Sequence, residues 1–134
     1  MENELALRAS LIQRQAEEIN ESISYISSQI IELEEFKNNL KFFDETKNTQ
    51  MLSSLGKGVY AKTNLEDKKL IVSVGAGILV KKTPEEAQKT IDAQVKNLHE
   101  AKAHLMGQLE ICNSSIRKII AEIQSSKKEH NHTH

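Results

Sequence analysis

Apolar residues recur along the first forty positions with a period of seven. Leu5, Ile12, Ile19, Ile26, Leu33 and Leu40 form one uninterrupted row, and a companion row reads Ala9, Ala16, Ile23, Ile30 and Lys37. Two such rows sustained over many turns mark a helix that packs lengthwise against another helix. The last third of the chain does the same, with Ile91, Leu98, Leu105, Cys112 and Ile119 in one row and Val95, Lys102, Leu109, Ile116 and Ile123 in the other. Its beginning is marked by Thr83 as N-cap, Pro84 at the first helical position and Glu86 three residues after the cap. The pattern predicts an N-terminal coiled-coil helix over 3–48, a C-terminal one over 84–127, and a mobile polar tail over 128–134. Lys37 and Lys102 interrupt the seam. They are expected to snorkel or to pair with a nearby Glu, and so to fix the register.

Between the helices the period shortens to two. Val59, Ala61 and Thr63 alternate with Tyr60, Lys62 and Asn64, and a second alternating run begins at Lys69. Four of the five glycines fall here, in Gly56-Lys57-Gly58 and Gly75-Ala76-Gly77. This predicts two β-hairpins within 51–82, one over about 51–62 and one over about 69–82. The predicted fold class is mostly α with a small β part. It is an antiparallel two-helix coiled-coil hairpin carrying two β-hairpins between its helices, the whole chain forming a single unit. A sheet of about 30 residues is too small to bury its own faces. With the seam already used, the β module is expected to assemble subunits. The residues assigned to oligomerisation are Val59, Ala61, Leu70, Val72, Val74, Ile78 and Val80.

Composition narrows the function classes. Eighteen Lys and Arg against nineteen Asp and Glu give a net charge of −1, without the overall basic excess usual in a nucleic-acid binder. The longest uncharged run, from Leu70 to Val80, is too short to span a bilayer. The N-terminus does not read as a secretory signal, and a cytoplasmic location is expected. Cys112 is the single cysteine and stands in a seam row, where a buried thiol is the ordinary reading. His99 and His104 lie on different helix faces, and the terminal His130, His132 and His134 read as a polar tail. The glycine loops match no phosphate-binding fingerprint. No catalytic, cofactor-binding or metal-binding residue is assigned, no cofactor is expected, and the chain is not read as an enzyme.

One apolar pattern is not absorbed by the seam. Leu7, Leu11 and Ile120 fall on outward positions of the heptads. In an antiparallel hairpin the two chain ends share one tip, which would gather Leu5, Leu7, Leu11 and Ile12 with Ile116, Ile119, Ile120 and Ile123. Such a cluster is a candidate contact surface for apolar material.

The linker segments Leu55-Gly56-Lys57-Gly58-Val59-Tyr60, Val72-Ser73-Val74-Gly75-Ala76-Gly77 and Lys81-Lys82-Thr83-Pro84-Glu85-Glu86-Ala87 resemble those of the α-type subunits of prefoldin. Two hairpins rather than one is that type's pattern. The resemblance implies a β-barrel platform in a hexamer of two α-type and four β-type subunits. It also implies coiled-coil tips that hold unfolded proteins without ATP and pass them to a group II chaperonin, with no nucleic acid or membrane as partner. The reading of a different class is a structural coiled-coil scaffold or adaptor that binds one defined protein partner.

Overall fold

A computed structural model describes residues 2–132, with side chains described through Lys128. The order of elements is α1 (Glu2–Glu45), β1 (Gln50–Gly56), β2 (Val59–Asn64), β3 (Leu70–Ser73), β4 (Leu79–Lys82) and α2 (Pro84–His132). Both long helices and both hairpins are therefore present. α1 stops three residues before the expected end at 48: the Thr46 amide still makes a helical bond to the Phe42 carbonyl, but the Asn48 amide turns onto the Thr46 hydroxyl instead. α2 continues to His132, into the segment 128–134 expected to be a mobile tail. No glycine or proline stands there to end it, so the backbone bonds of the helix continue. The side chains of His130, His132 and His134 lie outside the described residues. No helix among the described residues is long and apolar enough to cross a membrane.

The chain divides into two compact units. One holds the residues up to Ile30 together with those from Asn97 onward, and the other runs from Ile31 to Lys96. In the first, the seam rows are the protected ones. Ala16, Ile30 and Ile119 are buried, while Ile12, Ile19, Ile23, Ile26, Leu105, Leu109, Cys112, Ile116 and Ile123 are half-buried. Every third or fourth residue is shielded and most of the intervening positions are open, as a helix pair joined along one stripe requires.

The second unit has a small core of Leu40, Ala87 and Ile91, flanked by Leu33, Leu70 and Val95. Leu70 is the first residue of β3, so one face of the second hairpin rests on the helices of its own unit. Lys37 occupies the seam row and is neutralised there by Asp92, Nζ to Oδ1 at 2.5 Å. The expected pairing is realised with an aspartate rather than a glutamate.

α2 starts as its sequence dictates. Thr83 Oγ1 accepts the Glu86 amide at 3.1 Å, and Pro84 supplies the fixed φ of the first turn. Replacing Thr83 by Ala leaves that amide unpaired and is expected to cost about 1 kcal/mol, read as a lowered midpoint in urea. The far end of α1 is handled differently. Its last turn contains no basic residue and ends on Asp44 and Glu45, an unfavourable arrangement for the helix dipole. Lys68, from the connector between the hairpins, supplies the missing charge by donating to the Asp44 carbonyl at 2.6 Å and to the Thr46 carbonyl. Lys68→Met removes both bonds. It is expected to cost about 1.5–3 kcal/mol and to speed hydrogen exchange in residues 42–49.

Each hairpin is antiparallel and closed by a glycine-flanked turn. The backbone passes through φ of +105°, +52° and +79° at Gly56, Lys57 and Gly58, and through +101°, +52° and +74° at Gly75, Ala76 and Gly77. Glycine takes the more extreme positive angles. Lys57 and Ala76 sit near the left-handed helical well that an L-residue can enter. The two sheets are separate, each of two strands.

Candidate interaction surfaces

In the first unit, the eight residues expected at the tip separate into two groups. Leu7, Leu11 and Ile120 remain open, at 62%, 54% and 46% exposure. Leu5, Ile12, Ile116 and Ile123 are half-buried, and Ile119 is buried in the seam. The seam members therefore hold the helices together, and the three outward residues are the ones free to meet another molecule. Tyr25, Met106 and Ile111 are also exposed in this unit. Tyr25 accepts a hydrogen bond from Gln29 at 3.1 Å. Ile111 lines a shallow depression of about 500 Å³ with Gln15, Glu18, Ile19, Ser22, Gln108 and Cys112.

The hairpins of the second unit present two kinds of face. On the first hairpin, Ser53, Ala61 and Thr63 point to the more protected side, where Ser53 and Thr63 share a hydroxyl–hydroxyl bond of 3.0 Å. The opposite side places Leu52 across from Lys62, and Ser54 across from Tyr60. Leu52 and Tyr60 are open to solvent. The register slips between Ser54 and Gly56, and this bulge leaves Leu55 71% exposed. On the second hairpin, Leu70, Val72, Val80 and Lys82 are half-buried, whereas Ile71 and Leu79 are exposed.

Of the seven residues assigned to oligomerisation, Val59, Val74 and Ile78 are open, and Ala61, Leu70, Val72 and Val80 are half-buried. Leu70 packs on the helices of its own unit. Leu52, Leu55, Tyr60, Ile71 and Leu79 were not assigned by sequence, yet the hairpins leave them open as well. The strand alternation held the signal, but only the observed register says which parity faces outward. Beside them lies an apolar groove of about 630 Å³. Its floor is Leu33, Leu40 and Ile91, and its walls include Phe36, Phe43, Met51 and Ile71.

Among the described residues no group of His, Cys, Asp or Glu is placed to hold a metal ion. His104 is engaged with Gln108 at 3.2 Å, and Cys112 is a half-buried free thiol. What the described residues leave open on these surfaces is mainly apolar.

Comparison with known proteins gives a consistent picture. The family model described as prefoldin subunit matches residues 12–129. The prefoldin subunit alpha of Methanococcoides burtonii is 34% identical over 127 residues, covering 91% of this chain and 87% of the relative. That of Methanosarcina mazei is 30% identical over 131 residues, covering 93% and 87%. The cryo-EM structure of filamentous PFD from Methanocaldococcus jannaschii shares the fold, with a TM-score of 0.73 at 24% identity over 90% of this chain and 98% of that one. A match over most of the length, with glycine-turned hairpins set between two heptad-patterned helices, establishes that the chain belongs to the prefoldin family and groups with its α-type subunits.

Proposed function

We propose that this chain is the α-type subunit of a hetero-hexameric holdase, an assembly of two α-type and four β-type subunits. Prefoldins are molecular co-chaperones and not enzymes. The hairpins would join the subunits, and the ends of the paired helices would capture non-native proteins in the cytoplasm without ATP and pass them to a group II chaperonin. The observation that carries this reading is the exposure of Leu7, Leu11 and Ile120 outside a seam that is otherwise closed. Three open apolar side chains supply little affinity by themselves. Several helix ends in one assembly would engage one client together, and linked weak contacts gain avidity. Capture by avidity needs neither a deep pocket nor a nucleotide cycle, and it tolerates clients of varied sequence.

The test is suppression of aggregation. A denatured protein is diluted into buffer with the complex of this chain and a β-type subunit, and light scattering is followed. Scattering should fall to near background at one complex per client without nucleotide. Scattering that rises unabated at that ratio would remove the holdase reading.

A further inference from the structure

The apolar groove of the second unit is used neither by the helix seam nor by the helix ends. It lies between the helices and the hairpins, and α1, β1, β3, β4 and α2 all contribute to its lining. Ten of its fifteen lining residues are apolar, four are neutral and polar, and one, Lys82, is charged. No carboxylate lines it. Among the described residues the ion pairs are Lys37 with Asp92 and Arg117 with Glu110, so the half-buried Lys82 has no acidic partner. Lys82 stands across the strands from Leu70, which rests on the core of Leu40, Ala87 and Ile91. The seat of the hairpin on the helices therefore fixes the backbone that carries this cation.

A single cation in an otherwise apolar groove specifies a kind of ligand. Covering the walls with an apolar chain is favourable, and an anionic head supplies the counter-charge that Lys82 lacks, in a charge-assisted bond partly shielded from water. The neutral amides of Asn39 and Gln94 line the same groove and can donate to such a head. From this we infer that the groove is a binding site for a single-chain amphiphilic anion, an apolar chain headed by a carboxylate, with the chain against Phe36, Phe43, Met51 and Ile71 and the head on Lys82.

The charge chooses among occupants. A neutral apolar molecule leaves the ammonium without a counter-charge, and a cationic one is repelled. The volume, about 630 Å³, falls within the range of about 300–1,000 Å³ usual for small-molecule pockets. The shallow depression of the first unit gives the contrast. Its one charged lining residue is Glu18, which disfavours an anion there. A molecule held in the groove would touch both helices and both hairpins, so its binding should stabilise the second unit by mass action. Client capture at the helix ends and anion binding in the groove are separable properties.

Fluorescence titration of the full chain with dansylaminoundecanoate, kept below its micellar concentration, tests the inference. One probe per chain should bind, with a saturable, blue-shifted rise in emission. Dodecanoate should displace it about tenfold better than dodecanol, and dodecyltrimethylammonium should not displace it. Lys82→Met keeps the apolar stem, removes the charge, and should weaken binding about tenfold. Thr90→Trp places an indole in the groove from an exposed position and should abolish binding. In wild type, dodecanoate should slow hydrogen exchange in residues 70–73. Should the tryptophan disturb the fold, Lys82→Met decides alone. Any of five results would overturn the inference: dodecanol displacing the probe as well as dodecanoate does, binding unaffected by Lys82→Met, binding lost in the Leu7→Ser/Leu11→Ser/Ile120→Ser variant, a dimer of this chain that Thr90→Trp dissolves, or release of the probe when the β-type subunit is added, which would give the groove to a neighbouring subunit. A chain that binds the probe as described, in a complex that fails to suppress aggregation, would count against the holdase reading alone.

Discussion

Replacing Leu7, Leu11 and Ile120 together by Ser is expected to reduce affinity for non-native proteins by on the order of a hundredfold, while the assembled complex keeps its mass. Full burial of one such side chain is worth about 1.5–3 kcal/mol; each of these is already about half shielded, so a client contact adds about 1 kcal/mol per side chain and three together come to about a hundredfold. The fold should tolerate the change. All three residues are solvent-accessible, and exposed helical positions cost only a few tenths of a kcal/mol each when a leucine gives way to a serine. Circular dichroism and native mass should therefore match wild type, and light scattering with a diluted client should separate the two. Loss of the oligomer would mean that these positions are structural. Unchanged capture would place the client surface elsewhere, with the exposed Tyr25, Met106 and Ile111 as the next residues to change.

The largest effect on stability is expected at the small core of the second unit. Leu40→Ala and Ile91→Ala each empty a site that is about 5% exposed, and truncation of buried Leu or Ile typically costs 2–5 kcal/mol. For a chain of this length that lowers the melting temperature by on the order of 10 °C. Leu40, Ala87 and Ile91 form the only buried cluster there, and Leu70 rests against it. The second hairpin should therefore lose its seat on the helices before the seam of the first unit responds. Hydrogen exchange resolved by peptide would show residues 70–82 exchanging faster in either variant, with residues 9–26 little changed.

What the sequence made legible follows from which forces leave a periodic trace. The seam is a seven-residue repeat, and each row it predicts is protected in the structure, including the buried Ala16, Ile30, Leu40, Ile91 and Ile119. The hairpins announce themselves because positive backbone angles at Gly56 and Gly75 call for glycine. Interactions between segments distant in sequence were not legible. Lys68 reads as one more connector lysine until the fold carries it to the end of α1. Ile71 and Leu79 belong to a strand pair whose two faces are both apolar, so alternation alone does not say which face turns outward. Val74 alternates with Val72 in sequence but lies beyond the end of β3, in the turn where its amide bonds the Ile78 carbonyl.

The central claim is that the hairpins join unlike subunits and leave the helix ends free for clients. Native mass spectrometry of this 15.1 kDa chain, alone and mixed with a β-type subunit, tests it most directly. One discrete species containing two copies of this chain and four of its partner is expected, and deleting residues 70–82 should dissolve it. A chain that stays single beside that partner, or a complex that survives the deletion unchanged, would contradict it.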